Sequence, residues 1–231
     1  MDVPKVAVVG AGGMGALLAE RIPRSYRKVV ISRRKAEAVA VADEVGGIAS
    51  NQYSAVRGCG VIFLAVPDDQ VLPVLGELAP HVDPRALLVN TALTVMTEEL
   101  AGVYPNLRFA AVKVVGDPAE MALRGTGAVL LDHVTEEEEA RLRQLVAGLG
   151  PVARGSEEAA LAAVSAIAEE MTRALAGLKE RLGALGLSDG LSAVAVASAG
   201  PGVLRSLAMG QPNPFTQGVL DRLRNREASA P

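Results

Sequence analysis

The sequence predicts an α/β protein in which a doubly wound parallel sheet is followed by an all-helical C-terminal domain. Three observations support this: short apolar runs alternate with helix-like segments, a glycine-rich turn follows the first run, and strand signals stop after Gly155. The runs are continuous in Val, Ile, Leu and Ala, as expected of strands that helices cover on both faces. We therefore expect one domain over residues 1–155 and a helical domain over residues 156–231.

Seven apolar runs are the predicted strands, and segments with helical spacing separate them. The runs are Lys5–Val9, Lys28–Ile31, Val61–Val66, Ala86–Asn90, Arg108–Val114, Ala128–Asp132 and Val152–Arg154. The helical segments include Gly13–Ile22, Arg34–Val45, Gln70–Leu78 and Glu136–Gly148. Strand–helix–strand alternation predicts parallel neighbours joined by right-handed crossovers.

Three helices are predicted after Gly155. Ser156 precedes two glutamates and is typical of the N-cap of a helix, which continues to about Leu185. A second, apolar helix follows to about Met209, and a last short one covers roughly Phe215–Arg224.

The apolar stretch Leu191–Leu204 is shorter than the roughly 18 apolar residues that suggest a membrane span. Gly200, Pro201 and Gly202 also interrupt it, so we expect a buried helix and no membrane segment. The few residues that follow cannot cover this helix within one chain. A symmetric homodimer through the C-terminal helices is the expected partner arrangement.

Composition argues against several classes of partner and site. A formal charge of −3 and a pI near 5.5 argue against nucleic acid or an anionic membrane surface as a partner. Cys59 is the single cysteine, which excludes an internal disulfide framework and favours the reducing cytoplasm. His81 and His133 are far apart in the sequence, and no Cys/His cluster has metal-ligand spacing, so no metal site is expected.

The turn after the first strand has the sequence GAGGMG and opens a helical segment. In this context the G-x-G-x-x-G pattern is the signature of a Rossmann-type dinucleotide-binding domain, whose helix N-terminus faces the pyrophosphate. The predicted cofactor-binding residues of this turn are Gly10, Gly12, Gly13, Met14 and Gly15. The alternative is a glycine-rich turn without a ligand.

The end of the second strand bears on which dinucleotide is bound. An NAD-specific site places an acidic residue there to hold the ribose 2′-hydroxyl. This chain instead has Ser32, Arg33, Arg34 and Lys35. Guanidinium groups bind phosphate oxygens in a bidentate fork, so the pattern favours NADP(H) as the cofactor. The alternative is a solvated basic turn at the start of a helix.

Two further strand ends are expected near the cofactor. Ala65, Val66 and Pro67 end one strand near the sheet centre, and Asn90 and Thr91 end the next. Ligands of open α/β sheets bind at the carboxyl ends of such strands. Both turns are therefore predicted to line the nicotinamide ribose, with ordinary turn chemistry as the alternative.

These residues resemble the pyrroline-5-carboxylate reductase family. The resemblance lies in GAGGMG, in the arginine-bearing second turn, in VIFLAVPDDQVLPVLGELAP and in LLVNTALTVMTEEL. It covers most of residues 1–155 and continues more weakly into the helical part. It implies hydride transfer from NAD(P)H to a cyclic imine and an intertwined helical dimer.

The substrate motifs of that family are only partly present. Of its M-P-N-T-P-A-like segment, the stretch Lys113–Ala119 keeps only the final Pro-Ala. Its glycine-rich break, which helps to hold a substrate carboxylate, is replaced by the uninterrupted helix former Ala163–Glu170.

Lys113 and Ser165 are the candidate catalytic residues. Lys113 lies in an apolar strand, where a charge is costly unless it is paired or faces a cavity. It is predicted to bind a substrate carboxylate or to protonate an amine, and the alternative is an edge-strand lysine that reaches solvent. Ser165 is predicted to orient or protonate an imine nitrogen, and the alternative is a hydroxyl that bonds to the preceding turn of its helix. Asp117 and His133 are weaker candidates without recognisable partners.

The sequence thus predicts an NADPH-dependent oxidoreductase that reduces a small imine, similar to pyrroline-5-carboxylate, or a carbonyl compound. Two alternatives stay open. One is a catalytically inactive, reductase-like protein that binds NADP(H) as a sensor or regulator. The other is a dehydrogenase or F420-linked reductase that shares only the cofactor domain.

Overall fold

The computed structural model describes residues 3–125 and 127–228, and an eight-stranded sheet forms its centre. The strands are β1 (Lys5–Val9), β2 (Arg27–Ile31), β3 (Ile48–Ser50), β4 (Cys59–Leu64), β5 (Leu87–Asn90), β6 (Arg108–Val115), β7 (Ala128–Asp132) and β8 (Val152–Arg154). Their order is β3-β2-β1-β4-β5-β6-β7-β8, so the winding direction reverses between β1 and β4. This confirms the predicted doubly wound fold and puts the ligand crevice at that reversal.

Six helices lie between the strands or follow them. They are α1 (Gly13–Arg21), α2 (Lys35–Val45), α3 (Val71–Leu78), α4 (Thr97–Val103), α5 (Pro118–Arg124) and α6 (Glu136–Val146). The buried residues of α1, α2 and α6 pack with one set of strand side chains, and those of α3 and α4 pack with the other. The two faces of the sheet therefore carry separate apolar cores, as continuous apolar strands require.

The sequence analysis predicted a parallel sheet, and one pair of strands departs from this prediction. Strand β7 runs antiparallel to β6, whereas the other neighbouring pairs are parallel. A parallel return would have to span the eight-residue β6, about 26 Å. The helix that the structure describes in this connection, α5, has seven residues and is about 10 Å long. The chain therefore turns back at the same edge of the sheet.

The chain divides into two compact units, Met1–Ala166 and Ile167–Pro231. The helix α7 (Glu157–Ala184) begins in the first unit and continues into the second. The second unit also contains α8 (Asp189–Ala208) and α9 (Pro214–Ala228). The helical C-terminal region is therefore confirmed, while the predicted boundary at residue 155 stays a prediction.

Helix α8 is largely exposed in the single chain, where the sequence analysis expected that the residues after it could not cover it. Only 6% of its most apolar window is buried. By length and composition α8 is also long and apolar enough to cross a membrane, contrary to the sequence argument. One such helix is weak evidence for a membrane segment, since the core helices of soluble proteins meet the same criterion.

Candidate functional site

The glycine turn between β1 and α1 brings two parts of the backbone into close contact. Gly10 has a φ of +110°, and a Cβ atom there would lie 2.0 Å from the Ala65 carbonyl oxygen. A Cβ atom on Gly15 would lie 1.9 Å from the carbonyl oxygen of Gly10. Both positions require glycine because the start of α1 and the end of β4 press on the turn.

Gly12 differs from these two glycines because the space beside it is open. No described atom lies within 4 Å of the position that its Cβ would take. Gly12 is the N-cap of α1, and no described side chain caps this helix. Backbone N–H groups at an uncapped helix N-terminus bind anions, so the turn suits the pyrophosphate of a dinucleotide.

A first groove of about 370 Å3 runs from the turn to the end of β2. Its lining residues are Val9, Gly10, Ala11, Gly12, Ile31, Ser32, Arg33, Arg34, Glu37, Tyr53, Ala65, Val66, Pro67, Gln70 and Val74. The predicted residues Ser32, Arg33 and Arg34 therefore share one groove with Gly10 and Gly12. Burial and Glu77 raise the pKa of Tyr53, and the positive charge of Arg33 opposes this shift.

The first groove also contains a carboxylate that the sequence analysis missed. Ser32 Oγ donates to Glu37 Oε2 at 3.1 Å, and Arg34 Nε lies 3.0 Å from Glu37 Oε1. Sequence reasoning looked for an acidic residue at the end of β2, whereas Glu37 comes from the first turn of α2. Helical spacing from Arg34 to Glu37 was the signal that could have revealed it.

A second groove of about 350 Å3 continues from the first along the strand ends. Its lining residues are Gly12, Gly13, Met14, Ala65, Val66, Pro67, Asp68, Thr91, Ala92, Leu93, Val114, Gly116 and Val164. The two grooves share Gly12 and the segment Ala65–Pro67, so together they follow the carboxyl ends of β1, β4 and β5. Such a continuous path has the shape that an extended dinucleotide needs.

Asp68 is the only ionisable side chain among the described residues that line the second groove. It accepts a hydrogen bond from the Thr94 backbone N at 2.7 Å and another from Thr94 Oγ1. Thr91 Oγ1 donates to the Leu64 carbonyl oxygen at 2.8 Å. Apart from Asp68 and Thr91 the side chains that line the groove are apolar, and none of them is cationic.

Asn90 does not line either groove. Its side chain is fully buried, and Nδ2 donates to the Val95 carbonyl oxygen at 2.7 Å. Asn90 Oδ1 accepts from the backbone N of Ala92 at 3.1 Å. The side chain therefore fixes the loop that carries Thr91 and Ala92, and it does not face the cofactor path.

Lys113 is buried in an ion pair with Glu157. The two side chains are each 1% exposed, and Lys113 Nζ lies 2.8 Å from Glu157 Oε1. Nζ also donates to the carbonyl oxygens of Ala92 and Val95. Burial lowers the pKa of Lys113, while Glu157 opposes that shift. The alternative of a lysine reaching solvent from an edge strand is wrong, because β6 lies between β5 and β7.

Glu157 accepts further hydrogen bonds at the start of α7. The backbone N and Oγ1 of Thr97 donate to it at 2.7 and 2.8 Å. His133 Nε2 lies 3.4 Å from Glu157 Oε2. These contacts join the strand ends, the loop after β5 and the first turn of α7 into one polar cluster, which we call the Glu157 cluster.

The remaining candidates lie away from the grooves. Ser165 is exposed on α7 and lines neither groove, although its neighbour Val164 lines the second. Asp117 is the N-cap of α5 and accepts from the backbone N of Glu120 at 2.9 Å. Catalysis by Lys113 or Ser165 thus stays a prediction, and neither side chain lines a groove. Within the described ranges 3–125 and 127–228, no group of three or more metal-ligating side chains occurs.

Residues 5–94 match the family model described as NADP oxidoreductase, coenzyme F420-dependent. The match includes the glycine turn, the arginines after β2 and the end of β5. This part of the chain is therefore similar to the NADP oxidoreductases that the model describes. No curated protein matches the chain in sequence.

Solved structures extend the likeness to the whole chain at low identity. A Bacteroides fragilis protein assigned to the NADP oxidoreductases is 16% identical, with a TM-score of 0.68 over 96% of this chain and 89% of that one. A Plasmodium falciparum pyrroline carboxylate reductase with NADP bound is 18% identical, with a TM-score of 0.64 and coverages of 95% and 84%. Synechocystis arogenate dehydrogenase is 21% identical, with a TM-score of 0.61 and coverages of 96% and 93%. These likenesses show a Rossmann-like fold with a helical C-terminal region.

Proposed function

We propose that the protein is an NADPH-dependent oxidoreductase that reduces the C=N bond of a small imine. The observation that carries this proposal is the pair of joined grooves over the glycine turn. One end offers Ser32, Arg33 and Arg34 for a 2′-phosphate, and the open side of Gly12 suits the pyrophosphate. Nicotinamide, when bound, supplies the hydride.

The chain's own residues would position the cofactor and substrate and exclude water. Gly12 and the start of α1 would hold the pyrophosphate, and Thr91 and Pro67 would shape the space beyond it. The apolar residues Met14, Leu93 and Val114 would keep that space dry, which strengthens electrostatic interactions there.

Asp68 narrows the class of substrate. A protonated imine carries a positive charge that the Asp68 carboxylate can complement. A substrate carboxylate would find no described cationic side chain in this groove and would face Asp68 instead. We therefore propose a cyclic imine without a carboxylate as the preferred substrate. This agrees with the sequence, in which Ala163–Glu170 replaces the carboxylate-binding break of the pyrroline-5-carboxylate reductase family.

The test is NADPH oxidation with 1-pyrroline and pyrroline-5-carboxylate as matched substrates. We expect faster turnover with 1-pyrroline, and NADPH to be used in preference to NADH. Asp68→Asn should reduce kcat/KM for 1-pyrroline more than Asp69→Asn, a neighbouring change outside the second groove. Binding of NADPH without turnover of any imine would contradict the proposal and favour the sensor hypothesis.

A second candidate is hydride exchange between NADP(H) and a deazaflavin. The description of the family model that matches residues 5–94 favours it. Reduction of NADP+ by reduced coenzyme F420, with no imine turnover, would replace the first candidate. We also propose a homodimer, which the exposed apolar residues of the second unit support. A cytoplasmic location is proposed because Cys59 is the single cysteine.

A further inference from the structure

The first groove places a carboxylate in contact with the groups expected to bind the 2′-phosphate. Glu37 bonds to Ser32 Oγ at 3.1 Å and pairs with Arg34 Nε at 3.0 Å. Among the described residues that line this groove, Glu37 is the only acidic one. Its carboxylate therefore occupies two of the donors that a phosphate would use.

A phosphate can displace the Glu37 carboxylate from the Arg34 guanidinium, but the displaced carboxylate then repels the phosphate. Arg34 is exposed, and exposed ion pairs contribute little free energy, so a phosphate can take over the guanidinium. The Glu37 carboxylate then remains a few ångströms from a group with about two negative charges, and like charges at that distance repel. Glu37 thus weakens NADPH binding.

NADH meets the opposite situation at the same residue. It carries a ribose 2′-hydroxyl, and a carboxylate is the acceptor that NAD-binding sites offer to this group. Glu37 is half-buried in the groove and can accept that hydrogen bond. Hydrogen bonds to charged acceptors are stronger than those to neutral ones.

We infer that Glu37 is a specificity-determining residue that reduces the preference for NADPH, so that the site accepts both dinucleotides. This inference rests on the cofactor site of the proposed function. It treats Ser32, Arg33 and Arg34 as the NADPH-selective part of the groove and Glu37 as the NADH-selective part.

The experiment is titration calorimetry of NADPH and NADH with the full chain and with Glu37→Gln. We expect the NADPH Kd to fall and the NADH Kd to rise, each by about fivefold, because a charged hydrogen-bond partner becomes neutral. The matched control is Glu44→Gln, the same change on the same helix about 10 Å further along and outside the groove. Its two Kd values should equal those of the wild type.

The outcomes separate this inference from the proposed function. An unchanged ratio of the two Kd values in Glu37→Gln overturns the inference alone, and Glu37 then serves only the dipole of α2. A wild-type chain that binds neither dinucleotide overturns the proposed function as well. If Glu37→Gln does not fold, as judged by circular dichroism, Glu37→Ala replaces it with the same expected direction for both cofactors.

Discussion

The Lys113 ammonium group and the Glu157 carboxylate form a buried ion pair, and each side chain is 1% exposed. Removing one charge leaves the other buried without its ion-pair partner. We expect Lys113→Met and Glu157→Met each to lower the free energy of unfolding by about 3–5 kcal/mol. The double variant should lose less than the sum of the two. Urea denaturation of the three variants measures this coupling.

An exposed ion pair in the second unit provides the control. Arg173 pairs with Glu169 at 3.5 Å, and both side chains are largely exposed. Arg173→Met should cost less than about 1 kcal/mol. If Lys113→Met is as mild as this but abolishes turnover, Lys113 acts in catalysis and the structural account of the Glu157 cluster fails.

Single residues also show where sequence reasoning reached its limit. Ser32, Arg33 and Arg34 could be assigned to one groove because a strand end fixes where consecutive residues lie. Asn90 could be placed at a strand end, but not the direction of its amide, which turns into the protein. The partner of Lys113 lies 44 positions later in the chain, and no local pattern connects the two residues.

At the scale of elements, the glycine turn makes a prediction that separates folding from binding. Gly15→Ala would force a methyl group against the Gly10 carbonyl, whereas Gly12→Ala fills open space at an ordinary φ of −75°. We expect Gly15→Ala to lower the Tm and Gly12→Ala to leave it near the wild-type value. Gly12→Ala should nevertheless weaken NADPH binding, because the methyl group occupies the expected place of the pyrophosphate.

Thermal melting with calorimetric titration of NADPH tests this pair of variants. The wild-type chain and Gly102→Ala, whose Cβ also meets open space but lies on α4 away from both grooves, serve as controls. Unchanged NADPH affinity in Gly12→Ala would mean that the pyrophosphate does not lie over this turn.

Strand bounds were predictable from several apolar runs, and the shortest helices were not. The bounds of β1, β7 and β8 agree with the predicted runs, although β8 has only three residues. Strand β3 has the same length as β8 but was missed, since a segment of three residues gives no periodicity that would reveal it. Helices α4 and α5 have seven residues each, which is too short for a clear helical repeat.

At the scale of the whole molecule, the arrangement of apolar surface was predictable in the first unit only. Residues on both faces of the sheet are buried, and the strand composition indicated this. In the second unit the sequence correctly indicated three helices, but a single chain contains no signal for what covers an apolar helix. Exposed apolar side chains there include Ile167, Leu191, Val194, Val203, Leu204 and Phe215.

These exposed side chains predict association of the full chain. Leu191 and Val194 are 64% and 67% exposed in the single chain, and contiguous apolar surface of this kind usually marks an interface. We expect light scattering at micromolar concentration to give the mass of a homodimer, because a symmetric contact uses the same face of both copies. Val194→Glu should shift the protein to monomer, since it would place a charge in the contact.

Leu123→Glu is the matched control, because Leu123 is 79% exposed but lies on α5 in the first unit. It should leave the dimer intact. A monomeric wild type that sediments with lipid vesicles would assign α8 to a membrane instead. A monomer that stays in solution would exclude both a second copy of the chain and a membrane as the partner of this surface. The dimer prediction therefore stands or falls on the mass of the wild-type chain, and Val194→Glu then locates the contact on α8.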